Sequence, residues 1–320
     1  MTLINTMPAE TAQAETEPID RPMRRIFRSG RIVFGGGILL IIALICLCSL
    51  PITLNPNSAF YYDQQNKDLV RLAPAMKHAA QWFGMDDLGR SLFGRCLLGG
   101  TISLGIGFAA ATISMILGVS VGLVAGYRGG WTDSALMRIV DILYGLPYIL
   151  MVILLKIAFE PMLARIFNPA AANLVVLFSA IGLVSWLTMS RVVRGQVLSL
   201  RSQPFIEACR AMGLGETRIF FRHILPNLIG LVIVYATLTV PVAILEESFL
   251  SFLGVGIAPP MPTWGSLASA GLLPALNPLN HRWWMLFFPC ILLAVTLLCL
   301  NFLGDGLRDL FDPKREAAKI

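Results

Sequence analysis

A chain of 320 residues that is 56% hydrophobic and only 14% charged cannot clothe the surface of a soluble fold, since ordinary globular chains carry about 25% charged residues. The same abundance of apolar side chains excludes general disorder. The net charge of +6 fits either a nucleic-acid partner or the basic face of a membrane protein, and the positions of the charges decide between them.

Residues 1–31 read as a cytoplasmic N-terminal tail with a basic flank. Its first part carries Glu10, Glu15, Glu17 and Asp20 with few large apolar residues, a composition that builds no core. Arg21, Arg24, Arg25, Arg28 and Arg31 follow. A secretory signal would also begin this way, but the next apolar run exceeds the roughly 7–15 residues of a cleavable one, so an uncleaved first helix is expected at 32–53. Residues 54–95 form a long outside loop.

A spanning helix needs about 20 mostly apolar residues. Charge-free stretches at 32–62, 96–127, 166–190, 224–245 and 283–304 each hold one. A sixth, 142–155, has only 14 uncharged residues. Parity decides its status. With six spans and a cytoplasmic N-terminus, 17 of the 25 Lys and Arg residues lie inside; with five spans, only 10 do. The positive-inside bias selects six, extending the short span to 139–159 with Asp141 and Lys156 snorkelling at the interfaces. The excess arginine then needs no DNA or RNA partner. The expected fold class is an all-α polytopic membrane protein with six transmembrane helices, residues 96–304 holding five of them and 305–320 forming a cytoplasmic C-terminal tail.

Within the second span Gly118, Gly122 and Gly126 recur every four residues and form a small-residue face for helix packing. Pro147, Pro241 and Pro289 are expected to kink other spans. No Asp, Glu, Lys or Arg is expected at mid-membrane; the nearest, Glu246 and Glu247, stand at the outer end of the fifth span. Ion-coupled carriers usually need such a group at depth, and a polytopic enzyme would need catalytic side chains grouped at one depth. Neither pattern is present, and no phosphate-binding G-x-x-x-x-G-K-[ST] loop occurs. Whatever the chain moves or makes, it carries neither an ATP-binding loop nor an obvious ion-coupling site of its own. Cys46, Cys48, Cys96, Cys290 and Cys299 sit in or beside apolar runs and Cys209 in a polar loop; His78, His223 and His281 are scattered. No metal or cofactor site is implied.

The long inside loop, residues 191–226, is the most informative stretch. Helical spacing over 204–212 sets Phe205, Ile206, Cys209 and Met212 toward one face, with Glu207 and Arg210 interspersed. Gly213 can end that helix, and a second begins near Glu216 and runs past Arg218 and Ile224 to Pro226. Apolar residues so placed need either a lipid surface or a partner.

Glu207-Ala208-Cys209, three residues, Gly213-Leu214, and then His223-Ile224-Leu225-Pro226 resemble the EAA loop of ABC-importer permeases, with Cys209 for the second alanine and His223 for an isoleucine. Gly126-Tyr127-Arg128-Gly129-Gly130-Trp131, Arg194-Gly195-Gln196, Phe249-Leu250-Ser251-Phe252-Leu253-Gly254 and Asn301-Phe302-Leu303-Gly304-Asp305-Gly306 are similar to further segments of the peptide-permease branch. Three positions depart from it: Met85 and Ser91 in the stretch before the second span, and Thr101 where an arginine is usual. Glu246 stands where the family often has phenylalanine; either a periplasmic gate or a solvated helix end explains the acidic pair, the second being the expectation.

The resemblance implies the type I ABC importer permease fold and a role as half of an oligopeptide pathway, with dipeptide, nickel or antimicrobial-peptide systems as the alternative. It implies a homologous second permease subunit, two cytoplasmic ABC ATPases and an extracytoplasmic peptide-binding protein as partners, besides the lipid bilayer. By the same resemblance, residues 191–226 hold the coupling loop that enters a groove on the ATPase, with Glu207 as polar anchor and Gly213 as turn.

Overall fold

The computed structural model describes residues 29–311. The acidic tail, the arginines at 21, 24, 25 and 28, and the basic residues after 311 lie outside the described residues. Among the described residues nine α-helices form the fold: α1 Gly30–Thr53, α2 Leu92–Arg128, α3 Gly130–Tyr144, α4 Tyr148–Leu163, α5 Pro169–Arg201, α6 Pro204–Ala211, α7 Glu216–Phe252, α8 Trp264–Leu276 and α9 Trp284–Phe311. Among the described residues no strand occurs, only an isolated bridge between Met85 and Ser91.

Among the described residues five helices, α1, α2, α5, α7 and α9, are long and apolar enough to cross a membrane. The remaining crossing is not the continuous helix expected over 139–159. It is a pair, α3 and α4, bent by 92°. The cause is local: Gly145 closes α3, and Pro147 precedes α4 in an extended conformation. Proline has no N–H for an α3 acceptor and pushes the residue before it out of helical geometry. Lys156 does not snorkel either. It is buried, and its ammonium donates to the carbonyls of Val255 and Gly256 at 2.7 Å each.

Helix directions follow from close approaches. Along α2 and α5, Gly182 meets Ile113, Gly118 meets Met189, Gly122 meets Ser190 and Val193, and Gly126 meets Val197. Residue numbers rise together on both helices, so α2 and α5 run parallel and the chain must cross back between them. The bent α3–α4 pair is that crossing. Against α9 the numbers run oppositely: Gly35 faces Cys299 and Gly306 faces Ile32, while Gly304 faces Leu238 and Gly230 faces Phe311. Thus α9 is antiparallel to both α1 and α7. The start of α1, the end of α9 and helix α6 share one end of the bundle.

The core is layered along this axis. Ile106, Leu177, Ile181, Leu187, Ala243 and Leu250 fill the space between α2, α5 and α7. Leu39, Leu104, Val240, Ile244 and Leu300 seal α1 and α9 onto that centre. At the end away from α6, residues 54–91 fold into an ordered cap. Asp86 accepts from the guanidiniums of Arg90 at 2.8 Å and Arg95 at 2.7 Å, and from the backbone amides of Leu88 and Arg90. Gly89 has a φ of +71°, and a Cβ there would lie 1.9 Å from the Asn66 carbonyl oxygen, so the turn admits only glycine. Asp87 pairs with Arg71 and with Arg282 before α9. Helix α8 docks beside the cap through Trp264, which is fully buried and donates its indole N–H to the Cys96 carbonyl at 2.9 Å.

Candidate coupling loop and membrane cleft

Helix α6 begins with Pro204 in its first turn, where a missing N–H costs nothing. It ends in a Schellman arrangement: Gly213 has a φ of +76°, its N–H bonds the Arg210 carbonyl at 2.9 Å, and the Leu214 N–H bonds that of Cys209 at 3.1 Å. The expected apolar face is divided. Ile206 and Cys209 are buried against Met189, Val193, Val197, Ile219 and Ile224, whereas Phe205 and Met212 point out, 42% and 72% exposed. The spacing explains it: 206 and 209 are three apart on one face, while 205, 208 and 212 share another. Ala208 and Glu207 are exposed with them, and Glu207 makes no side-chain hydrogen bond or ion pair among the described residues.

Two anchors tie the loop to the bundle. The Tyr127 hydroxyl at the end of α2 donates to Glu216 Oε2 at 2.6 Å, and Arg210 Nε on α6 donates to Glu216 Oε1 at 3.0 Å. Arg194 on α5 grips Asp133 on α3 with two parallel hydrogen bonds, and Arg191 bonds Asp141 at 2.8 Å while covering the Tyr144 ring. Leading into the fifth span, Glu216–Ile219 passes through one π turn, Phe220–Ile224, before the α-helix resumes. Pro226 is the reason: it cannot donate to the carbonyl four residues back, and the wider turn is one of the few ways a helix absorbs that loss. Arg218 and Pro226 are exposed, and Leu214 packs beneath the loop.

The acidic pair sits about 46 Å away along α7, at 1.5 Å per residue. It is not a solvated helix end. Glu247 is fully buried, and its Oε1 accepts from Ser251 Oγ at 2.7 Å and Thr263 Oγ1 at 2.8 Å. Glu246 faces another way, about 100° round the helix, into a cleft of about 480 Å³ between α3, α4, α5 and α7. Six hydroxyl-bearing side chains line that cleft with it: Tyr144, Tyr148, Ser185, Thr188, Tyr235 and Thr239. Polar groups inside a membrane bundle face its interior or a water-filled passage rather than lipid. Among the described residues no three His, Cys, Asp or Glu side chains are grouped to hold a metal ion.

Residues 118–317 match the family described as "Binding-protein-dependent transport system inner membrane component". The chain belongs to this family. It is 40% identical over 288 residues to the oligopeptide transport system permease protein OppC of Bacillus subtilis (strain 168), covering 90% of this chain and 87% of that one. Similarity to OppC of Escherichia coli (strain K12) is 41% over 306 residues, covering 96% and 95%. Similarity to the dipeptide transport system permease protein DppC of Bacillus subtilis (strain 168) is 41% over 278 residues, covering 87% and 81%. A solved chain of the MetNI methionine ABC transporter in an inward-facing conformation shares the fold, with a TM-score of 0.53 at 19% identity over 68% of this chain and 97% of that one.

Seen as a peptide-permease relative, the chain keeps its architecture where its sequence departs from the family. Ser91, in place of an aspartate, still caps α2: its Oγ accepts from the Gly94 amide at 3.3 Å and donates to the Ala80 carbonyl at 2.8 Å. Thr101, in place of an arginine, donates to the Cys46 carbonyl at 3.1 Å and ties α1 to α2. Met85 is buried in the cap. Gly118, Gly122 and Gly126 lie in the α2–α5 seam, far from the acidic pair. Sequence reasoning missed Tyr127, Glu216, Arg191 and Arg194 as anchors, although all four lie in or beside the motifs it quoted. For Glu216, Arg191 and Arg194 the opposite charges of Arg210, Asp141 and Asp133 on neighbouring elements were the available signal; the Tyr127 hydroxyl offered none.

Proposed function

We propose that this permease is one half of the membrane pathway of an ATP-driven importer of oligopeptides, catalysing no reaction itself. The single observation that carries the coupling role is the outward face of α6. Phe205, Ala208 and Met212 form an exposed apolar strip beside an unpaired Glu207, on a helix rooted rigidly in α5 and α7. A strip of that kind at the end of a bundle fits a groove on a cytoplasmic ATPase, with Glu207 as the polar anchor. Two such ATPases, a homologous second permease subunit and an extracytoplasmic peptide-binding protein complete the system. The clustering of the start of α1, the end of α9 and α6 at one end supports both chain termini being cytoplasmic.

Mechanically, closure of the ATPases on ATP displaces α6. Arg210 and Glu216 pass the displacement to α7, and the Arg191 and Arg194 ion pairs pass it to the bent α3–α4 span, so the cleft alternates its access. A dipeptide system is the second reading, favoured by the 41% identity to the dipeptide relative. Copurification from native membranes tests the assignment: two ATPases, a second permease and a peptide-loaded binding protein are expected with the chain. Recovery of the chain alone, with peptide accumulation by that lone chain in vesicles, would refute it.

A further inference from the structure

Far from the coupling loop, Glu246 is, among the described residues, the one carboxylate that lines the membrane cleft. Glu246 lies six residues inside the end of α7 at Phe252, about 9 Å along the axis. Its Oε2 is shut from solvent, and the hydroxyl beside it, that of the largely buried Tyr148, is neutral and brings no compensating charge. Three cations on neighbouring elements are engaged elsewhere: Arg191 holds Asp141 and covers Tyr144, Arg194 holds Asp133, and Lys156 holds the Val255 and Gly256 carbonyls. Among the described residues no Lys, Arg or His lines the cleft. A carboxylate in such a place attracts a cation from whatever enters, because the low-dielectric wall strengthens the attraction and no internal charge competes. Its sequence neighbour Glu247 also keeps Oε2 buried, and unpartnered, but its Oε1 is held by two hydroxyl donors and it does not line the cleft.

We propose that Glu246 is a cation-recognition point in the pathway, taking the ammonium group of a passing peptide, with Tyr148 as the adjoining hydroxyl. The inference rests on the cleft being a wall of the peptide pathway. It adds that the wall reads charge, so selection does not rest entirely with the separate binding protein. Two sources of ammonium share this chemistry, the peptide amino terminus and a lysine side chain.

The test is carbodiimide labelling of Glu246 in the complete, nucleotide-free transporter in vesicles, read by peptide mass spectrometry, with Glu246→Gln as the blank and Glu247 as the internal reference. Three probes are compared: trialanine amide, which has only a terminal ammonium; N-acetyl-lysine amide, which has only a side-chain ammonium; and neutral N-acetyl-trialanine amide. Slowing of labelling at least fivefold by one or both cations, and not by the neutral probe, is expected, and the pattern assigns the source. Equal labelling with and without cations, equal protection by the neutral probe, or no labelling of Glu246 without ligand each overturns the proposal. Uptake of trialanine by the same vesicles tests the pathway reading separately, so the two failures are distinguishable.

Discussion

Thr263 Oγ1 donates to Glu247 Oε1 at 2.8 Å and accepts from the Ser266 amide at 3.0 Å. One hydroxyl thus caps α8 and satisfies a carboxylate buried in α7. Removing it costs a helix cap, about 1 kcal/mol, and leaves a buried acceptor short of a donor, about 1–3 kcal/mol. Thr263→Val is therefore expected to lower stability by about 2–4 kcal/mol, whereas Thr263→Ser stays near wild type. Thermal unfolding in detergent, followed by tryptophan emission, checks both.

Glycines at the α2–α5 seam admit no side chain. A Cβ on Gly122 would lie 2.6 Å from the Ser190 carbonyl oxygen, and one on Gly118 2.5 Å from Met189 Cβ. Gly122→Val should destabilise by about 1–3 kcal/mol or more, as overpacking does. Gly105→Ala, on the same helix but facing open space, should be neutral or slightly stabilising. Unfolding in mixed micelles separates the two.

At the coupling loop the left-handed turn makes a sharper claim. Gly213→Val forces a β-branched residue to a φ of +76°, at a cost of about 1–2 kcal/mol; Gly213→Asn tolerates it. Peptide uptake by the complete transporter is expected to fall at least tenfold with the valine and less than threefold with the asparagine. Glu207→Ala should leave the chain in the membrane and the ATPases bound but lower the uptake obtained per ATP. Unchanged uptake in both Gly213→Val and Glu207→Ala would remove the loop from the coupling role.

The cap should be acid-sensitive. Burial alone would raise the Asp86 carboxyl, but the Arg90 backbone amide and the guanidiniums of Arg95 and Arg90 outweigh it and hold the group below the ordinary carboxylate range. A depressed folded value means that the stabilisation is complete above the unfolded value of about 3.9 and is lost as pH falls through the lower folded value. Limited proteolysis of residues 54–91 is expected to set in only below about pH 4. In Asp86→Asn it should occur already at neutral pH, since that change leaves Arg95 buried without its partner, a loss on the order of 3 kcal/mol.

Much of this architecture was legible in the chain. Charge-free runs located five spans, and counting arginines on alternate loops forced a sixth crossing, which the parallel α2 and α5 require. Period-four glycines marked the seam. The bend at 145–147 escaped because an apolar tally is blind to direction, although Gly145 and Pro147 were in plain view. The division of α6 into a buried face with Ile206 and an outward one with Phe205 escaped for a different reason: the second apolar face needs a partner outside the chain. Lys156 and the acidic pair misled because charge at a span's end usually seeks water, and nothing local shows that Val255, Gly256 and Thr263 fold back over them.

Because α2 and α5 interlock backbone against side chain from Gly182 to Gly126, neither can slide past the other. They make a stiff keel running the depth of the bundle. Flexing is left to the wider-wound turn ahead of Pro226 and the corner at Pro147. A stroke carried by such a frame moves α2 and α5 together as one rigid unit, and a cross-link stapling α2 to α5 should leave the transporter working.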